Sequence, residues 1–236
     1  MAISIVDFRI PEDIEAALIR EGFSVIKTEP YERLSLPLSG HPDMIFSKIG
    51  DSLFTPRDYF ENHRALMDKI KSAAPSIRII TTEDLPSSDY PNDAKMNVLA
   101  SGRALFLNPR SASPELLCYA KAAGLEIYSA KQGYPACTSL IVGGSAITAD
   151  RGMARLFSLA GLKVLTIEDG GISLPPYPFG FIGGASGIYR DRVYFIGDID
   201  THENADKIKE VCENEGFFPV SLGSSILLDL GGIIFI

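Results

Sequence analysis

Residues 137–165 read CTSLIVGGSAITADRGMARLFSLAGLKVL and predict, in this order, a β-hairpin, an amphipathic helix and a short strand. Two apolar runs flank a glycine turn, as is typical of a hairpin. Asp150 is placed to cap the helix, and Gly161 to end it, because glycine tolerates the left-handed conformation that terminates a helix. The same three-part pattern recurs along the chain.

Five hairpin patterns can be aligned on their turns, and their spacing is close to regular. A period of roughly 40 to 50 residues is typical of propellers and solenoids. Here the intervals between the first residues of successive hairpins are 54, 42, 47 and 40 residues, by subtraction of their sequence numbers. These first residues are His41, Lys95, Cys137, Gly184 and Ser224.

Between the hairpins, the chain repeats a helix that stops and runs directly into a short apolar strand. Glycine ends four of these helices, and Ala74 with Pro75 ends the fifth. Ser113 before Pro114, and Thr201, are predicted helix caps. The glycine-ended copies are EGFSVI at Glu21, AGLEIY at Ala123, AGLKVL at Ala160 and EGFFPV at Glu215.

The order of the units predicts how the fold closes. The chain starts with a helix–strand unit, residues 11–27, and ends with a predicted hairpin, Ser224–Ile236. Five complete units therefore require the two ends to meet, and a closed ring avoids an exposed sheet edge. We predict a single domain over residues 1–236 with an α/β fold: a five-fold pseudo-symmetric α/β propeller of hairpin–helix–strand repeats, whose ring is closed by the N- and C-termini. The alternative is an ordinary α/β sheet whose alternation only looks periodic.

Composition narrows the class of protein. The 236 residues are 46% hydrophobic and carry a formal net charge of −8, which repels a phosphate backbone, so we expect no nucleic acid partner. No apolar run reaches the roughly 18 residues of a membrane span, and no basic leader begins the sequence. Three widely spaced cysteines, Cys118, Cys137 and Cys212, fit free thiols in a reducing compartment. We expect a cytoplasmic protein that does not bind membranes.

Polar side chains gather at the start of the predicted hairpins. His41 and Cys137 occupy one level of the first strands, and the residues two positions on lie on the same face by strand alternation. If these strands line a central channel, a cysteine, a histidine and a carboxylate converge at one mouth, as a nucleophile with a proton-transfer partner requires. The residues two positions on are Asp43, Asn97, Ser139, Ser186 and Ile226.

The repeat architecture, with HPDMIF at His41 and GYPACTSL at Gly133, resembles the penteins, the superfamily of arginine and agmatine deiminases, amidinotransferases and dimethylargininases. The resemblance covers nearly the whole chain and implies a five-fold ring of hairpin, helix and strand units. It also implies roles: Cys137 attacks a guanidinium carbon, His41 protonates the leaving amine and activates water, and Asp43 holds the guanidinium.

Two features depart from the pentein pattern. The cysteine of the penteins lies close to the C-terminus, whereas two predicted hairpins follow Cys137, so a cyclic permutation of the ring is implied. The Glu-Gly-Gly-Asp segment of the penteins has IGGA, residues 182–185, as its nearest match, without either acid. One carboxylate compensates a buried guanidinium poorly, so either the substrate is not arginine-like or catalysis is lost.

Further residues are candidate substrate contacts. Lys95 and Asn97 could contact a carboxylate or carbonyl of the substrate, and Ser139 and Ser186 share the predicted face. His202 follows the fourth hairpin together with Asp198 and Asp200, and we expect it at the same mouth. The alternative for this last segment is a solvated helix start with capping residues.

Other motifs are best explained by structure. GGASG, residues 183–187, precedes a hairpin and not a helix, so it predicts close packing and not a dinucleotide site. No phosphate loop and no Cys or His pair with metal-ligand spacing is present, so we expect no cofactor and no metal. SLPPYPFGF, residues 173–181, is either a lid over the mouth or a rigid loop.

Three functions remain open. The first is a cysteine-dependent hydrolase or transferase that acts on a small guanidine- or amidine-like substrate through a thiouronium-type covalent intermediate. The second is a non-catalytic binding protein with a protein partner, as the ribosome anti-association factor is among penteins, and the third is a small-molecule sensor. The catalytic hypothesis predicts that Cys137 Sγ and the His41 ring face one cavity, within roughly 8 Å.

Overall fold

The computed structural model describes residues 2–236. Within this range, no helix is both long enough and apolar enough to cross a membrane. The same residues form seventeen strands, most of them three to five residues long. In chain order the strands are β1 (Ile3–Val6), β2 (Ser24–Lys27), β3 (Ser47–Ile49), β4 (Ser52–Pro56), β5 (Arg78–Thr82), β6 (Leu99–Ser101), β7 (Ala104–Leu107), β8 (Glu126–Ser129), β9 (Ser139–Val142), β10 (Ser145–Thr148), β11 (Lys163–Thr166), β12 (Ile172–Ser173), β13 (Ser186–Tyr189), β14 (Arg192–Phe195), β15 (Phe218–Ser221), β16 (Leu227–Leu228) and β17 (Ile234–Phe235).

Helices connect many of the strands, and the described residues form eight α-helices. Two single turns of 3-10 helix, Asn92–Ala94 and Ile199–Thr201, lie in longer connections. The α-helices are α1 (Glu12–Arg20), α2 (Pro42–Ile45), α3 (Arg57–Asn62), α4 (Arg64–Ala73), α5 (Pro114–Ala122), α6 (Pro135–Thr138), α7 (Arg151–Leu159) and α8 (Ala205–Asn214).

Among residues 2–236, four sheets repeat one topology: an antiparallel pair of strands, then a helix, then a third strand that pairs in parallel. In the sheet of β9, β10 and β11, Ser139 lies opposite Thr148 and Ser145 lies opposite Lys163, with α7 between β10 and β11. The other three sheets are β3–β4–β5, β6–β7–β8 and β13–β14–β15. The hairpin–helix–strand units predicted at these four positions are confirmed.

A fifth sheet combines strands from both ends of the chain. β1 pairs in parallel with β2 and antiparallel with β17. The hairpin predicted over Ser224–Ile236 is therefore wrong, and β16 pairs in parallel with β12 instead. The reason is that the backbone N–H groups of Asp229 and Leu230 donate to the carbonyls of Ser173 and Gly184, and not across a hairpin.

The helix boundaries follow the capping signals in most places. Asp150 caps α7, and its Oδ1 accepts a hydrogen bond from the Met153 N–H at 2.7 Å. Thr201 is not the cap of α8, because the chain first forms the 3-10 turn Ile199–Thr201, and Asn204 takes the cap position. The four glycines predicted to end helices all have positive φ angles: Gly22 (92°), Gly124 (63°), Gly161 (83°) and Gly216 (80°).

The apolar core continues from one unit to the next. Phe157 of α7 contacts Phe106 of β7 edge to face, with ring centroids 4.8 Å apart. Met153 and Ala146 belong to the same buried cluster, which therefore joins two consecutive units. An aromatic pair of this kind adds roughly 0.5–1.5 kcal/mol beyond the burial of its area. This packing fixes the positions of the two units relative to each other.

Candidate active site

Two one-turn helices position the predicted nucleophile and histidine. α2 follows His41 and begins with Pro42, while α6 begins with Pro135 and contains Cys137. Proline suits the first turn of a helix because its φ is already helical and its missing N–H would have no partner there. His41, Asp43 and Cys137 therefore lie in turns that precede β3 and β9, and not on the first strands as the alignment predicted.

The Cys137 thiol lies between a carboxylate and an amide. Its Sγ donates to Asp43 Oδ2 at 2.6 Å and accepts a hydrogen bond from Asn97 Nδ2 at 3.1 Å. Asn97 Oδ1 in turn accepts from the backbone N–H of Ala136 at 2.8 Å. All three side chains are buried. The sulfur thus has a defined position with a proton acceptor in contact.

Asp229 is a second buried carboxylate at the site, and no motif in the sequence points to it. Its Oδ1 accepts from the Gly231 N–H at 3.1 Å, and its Oδ2 from the Phe181 N–H at 2.9 Å. The residue is 1% exposed. Its one signal in the sequence is an acid within an otherwise apolar stretch, ILLDLGGIIFI, residues 226–236.

Glycines of the GGASG segment provide the space for these groups. A Cβ on Gly184 would lie 2.0 Å from Asp229 Oδ1, and a Cβ on Gly183 would lie 2.0 Å from the carbonyl oxygen of Ala136. The predicted close packing of this segment is confirmed. The expectation of a single carboxylate at the site is wrong, because an acid from a distant part of the chain lies against the glycines of IGGA.

His41 is buried beside this acid, with its Nδ1 atom 3.9 Å from Asp229 Oδ1. Within residues 2–236, neither ring nitrogen of His41 has a hydrogen-bond partner. Burial lowers the pKa of His41 to about 4, so the ring is neutral at pH 7. A neutral imidazole offers one nitrogen as a donor and the other as an acceptor. Neither role is taken up by a hydrogen bond within residues 2–236.

Burial also raises the pKa values of the acidic groups. It raises the pKa of Asp43 to about 6 and, with the nearby Asp43 carboxyl as a second cause, the pKa of Asp229 to about 7. The pKa of Cys137 lies well above its usual range, first because of burial and then because of the two carboxyls. Without a nearby cation the thiol stays protonated, and a positive charge placed beside these groups would lower all three pKa values.

A cavity of about 280 Å³ opens at the thiol, and we call it the aromatic cavity. Both Cys137 and His41 line it, as does Asp229, so the predicted nucleophile and histidine share one cavity. Five residues of the 173–181 segment form part of its wall, while a lid movement of that segment stays a prediction. The apolar and aromatic lining residues are Leu38, Met44, Tyr134, Leu174, Tyr177, Pro178, Phe179 and Phe181.

A second cavity, of about 270 Å³, contains the predicted contacts Ser139 and Ser186, and we call it the serine cavity. The Ser139 hydroxyl donates to Thr148 Oγ1 at 3.3 Å, and the Ser186 hydroxyl to the Ile182 carbonyl at 2.7 Å. The two cavities share no lining residue. They adjoin through Asp43, which lines the serine cavity and contacts the thiol of the aromatic one.

Lys95 and His202 line neither cavity. Lys95 Nζ pairs with Asp84 Oδ2 at 2.8 Å, and His202 Nδ1 accepts a backbone N–H two residues further on at 3.0 Å. Asp198 caps the 3-10 turn by accepting from the Asp200 N–H at 3.0 Å. The segment around His202 therefore matches the alternative interpretation, a helix start with capping residues. The structure does not place this segment at the Cys137 thiol.

Sequence comparison assigns the chain to a family. The model of a family of unknown function (DUF6873) matches residues 5–234, which is almost the whole chain. No curated protein matches the sequence.

Three solved structures share the fold over most of their length. A dimethylarginine dimethylaminohydrolase adduct with S-methyl-L-thiocitrulline has a TM-score of 0.60 at 9% identity, over 94% of this chain and 92% of the other. The inosamine-phosphate amidinotransferase of Streptomyces griseus has 0.57 at 15%, over 95% and 78%. An amidinotransferase of the saxitoxin pathway from Microseira wollei has 0.53 at 14%, over 93% and 82%. At these identities the similarity is one of fold.

Proposed function

The chain belongs to the family of unknown function DUF6873 and has the pentein fold, and we propose that it is a cysteine-dependent hydrolase or transferase acting on a guanidine or amidine. One observation carries the proposal: the Cys137 thiol and the buried carboxyl of Asp229 line the aromatic cavity, and the buried carboxyl of Asp43 contacts the thiol from behind. Of the salt bridges within residues 2–236, none joins a lysine or arginine to either acid. A cationic ligand would supply the missing charge.

The relatives in fold support the same chemistry. One is named for the hydrolysis of dimethylarginine and two for the transfer of an amidino group. Guanidinium and amidinium ions are planar cations with an electrophilic carbon, so they combine the charge that the acids need with the atom that a thiol attacks. The proposal therefore joins the charge of the cavity to the position of Cys137.

In the first half of the reaction, the substrate cation lies beside Asp229 and lowers the pKa of the Cys137 thiol. The S–H proton passes to Asp43 Oδ2, 2.6 Å from the sulfur, as the C–S bond forms. The C–N bond to the leaving amine then breaks, and the former thiol proton is delivered to that amine, with His41 as the relay. With a guanidine, a thiouronium-type intermediate remains on Cys137.

In the second half, water adds to the carbon of the intermediate. His41 is neutral at pH 7, since its pKa is lowered to about 4, and it takes a proton from the water. That proton returns to sulfur as the C–S bond breaks, which regenerates the thiol. The remaining proton on the added oxygen is lost to solvent as the C=O bond forms, so a neutral ureido product leaves. In a transferase, an amine replaces the water and leaves with the amidino group.

We further infer that the units form one closed five-fold ring and a single domain. The antiparallel pairing of β17 with β1 supports ring closure, because it joins strands from the two ends of the chain in the fifth sheet. In such a ring the turns that begin the units face the centre, where Cys137 and His41 meet. The cyclic permutation stays a prediction, as do the cytoplasmic location and a protein partner.

Alkylation by 2-chloroacetamidine, a cationic analogue of the substrate head group, tests the function. We expect it to modify Cys137 at least tenfold faster than neutral iodoacetamide does, because the amidinium lowers the thiol pKa in place. Mass spectrometry after timed quenching gives the rate at each cysteine. Cys118, which is exposed, serves as the internal control without such a preference.

Variants separate binding of the cation from reactivity. Cys137→Ser should abolish the labelling at that position, and Asp229→Asn should remove the preference for the amidine over iodoacetamide. A wild-type preference at Cys137 no greater than at Cys118 would contradict the proposal and favour a non-catalytic binding protein.

A further inference from the structure

We propose that the natural substrate is a guanidine or amidine with a small apolar or aromatic substituent and without a carboxylate. This inference rests on the proposed function and adds the class of substrate that the site selects. It follows from the charge, the walls and the size of the aromatic cavity.

The cavity offers no partner for an anionic group. Of the residues that the structure describes, 2–236, no lysine or arginine lines it, and its one histidine is neutral at pH 7. Asp229 is the acid in its lining, and Asp43 lies directly behind the thiol. A substrate carboxylate would lose its hydration and face these two acids without a counter-charge. An amino-acid substrate such as arginine is therefore disfavoured.

The walls favour an apolar substituent. Tyr134, Phe179 and Phe181 present aromatic carbon to the cavity, and Leu38 and Met44 add aliphatic groups. The faces of aromatic rings also attract cations. A ligand with a cationic head group and an apolar substituent therefore matches both the acid and the aromatic wall.

The acid and the aromatic wall are held together as one unit. Asp229 Oδ2 accepts from the Phe181 N–H at 2.9 Å, and the Asp229 N–H donates to the Ser173 carbonyl at 2.9 Å. β12 and β16 pair directly beside these bonds. The site for the cationic head group, at Asp229, and the site for the substituent, at the aromatic wall, are therefore held at a fixed separation. Tyr177, which is 44% exposed, lies at the solvent-facing side of the cavity.

The size of the cavity limits the substituent. Small-molecule sites commonly measure roughly 300–1,000 Å³, and this cavity, at about 280 Å³, lies at the lower end. A phenyl or butyl group beside the cationic head group suits a cavity of this volume. Phenylguanidine is therefore a suitable probe.

Isothermal titration calorimetry of the Cys137→Ser variant tests the inference without turnover. We expect phenylguanidine to bind at least tenfold more tightly than arginine, and at least tenfold more tightly than neutral phenylurea of the same shape. Arginine that binds as tightly as phenylguanidine would overturn the inference. Equal binding of phenylurea would also contradict it, because the positive charge would then contribute nothing to binding.

Changes in the wall give a second measurement in the same background. Phe179→Ala should weaken phenylguanidine at least fivefold, whereas the matched control Phe218→Ala, at an exposed aromatic of β15, should change nothing. Tyr177→Arg should strengthen arginine binding at least fivefold, since it adds a cation at the open side. An unchanged ratio of the two ligands in Tyr177→Arg would contradict the inference even if Phe179→Ala failed to fold.

The failure of this inference is distinguishable from the failure of the proposed function. If 2-chloroacetamidine labels wild-type Cys137 selectively but arginine is the preferred ligand, the function stands and the substrate class is wrong. If phenylguanidine is preferred but the labelling is not selective, the cavity binds this class of cation without the cysteine chemistry.

Discussion

The aromatic cavity and the serine cavity are nearly equal in size, about 280 and 270 Å³, but their walls differ in chemistry. The first combines aromatic carbon with a thiol, a neutral imidazole and a buried acid. The second is lined by serines, among them Ser139 and Ser186, by many apolar side chains, and by Asp43 and Lys48. Buried groups with raised or lowered pKa values that line a cavity are typical of reactive sites. The comparison favours the aromatic cavity as the site of the proposed chemistry.

The two cavities separate residues that are only two positions apart. Cys137 lines the aromatic cavity, and Ser139 lines the serine cavity. Strand alternation would place such residues on one face, but residues 135–138 form a helical turn, so the period of two does not apply. A single turn of helix at the start of the strand thus decides which cavity receives which side chain.

The largest expected effect that tests this comparison concerns Asp229 and the pH dependence of stability. Because burial raises its pKa from 3.8 to about 7, the folded state retains a proton that the unfolded state has released. Its contribution to the free energy of unfolding therefore falls by up to about 4 kcal/mol as the pH rises from 4 to 8. Asp229→Asn should remove this part of the pH dependence and leave the parts that Asp43 and His41 contribute. The difference between the variant and the wild type, measured by urea denaturation at both pH values, therefore gives the contribution of Asp229.

Ser139→Ala is the control from the serine cavity for this experiment. It removes no ionisable group, so the variant should keep the pH dependence of the wild type, whatever its uniform effect on stability. If the free energy of unfolding of Asp229→Asn depends on pH as strongly as that of the wild type, the pKa of Asp229 does not differ between the folded and unfolded states as its burial implies.

The next effect tests Asp43 as the proton acceptor of the thiol. Asp43→Asn should slow the inactivation of Cys137 by 2-chloroacetamidine about 100-fold, within the range for loss of a general base. The rate is measured by mass spectrometry at pH 7. Ser186→Ala in the serine cavity should stay within about twofold of the wild type, and a comparable loss in both variants would break the distinction between the cavities.

The smallest effect concerns the amide that donates to sulfur. The Asn97 side chain lowers the pKa of Cys137 by stabilising the thiolate, so Asn97→Leu should shift the pH profile of iodoacetamide labelling at Cys137 upward. Hydrogen bonds to charged groups contribute roughly 1.5–3 kcal/mol, which corresponds to at least about tenfold in rate. Asn108→Leu, which removes a similar buried amide elsewhere, should leave this profile in place.

The local parts of the fold could be predicted because their signals lie within a few residues of one another. Apolar runs around turns predicted four strand pairs, and the glycines after the helices predicted where the helices stop. The candidate site was predictable in part for the same reason. Since the units repeat, residues at corresponding positions meet: the alignment puts His41 and Cys137 at one level, with Asp43 and Asn97 two positions further on.

Other features depend on parts of the chain that are far apart in sequence. Asp229 reaches the site because its backbone bonds to Ser173 and its side chain fits against Gly184. Lys95 is drawn away from the site by its pairing with Asp84, for which the sequence carries no signal. The fifth sheet differs from the prediction because β17 pairs with β1 rather than with its neighbour in sequence.

By itself, the sequence determined the hairpin–helix–strand units and the convergence of a cysteine, a histidine and an acid, because periodicity and capping act over short distances. Only the tertiary structure decided that Asp229 joins them, that aromatic side chains enclose the thiol, and that the serines face another cavity. The physical reason is that burial and the arrival of distant groups set the pKa values and the walls of a site, and neither is encoded within one turn or strand.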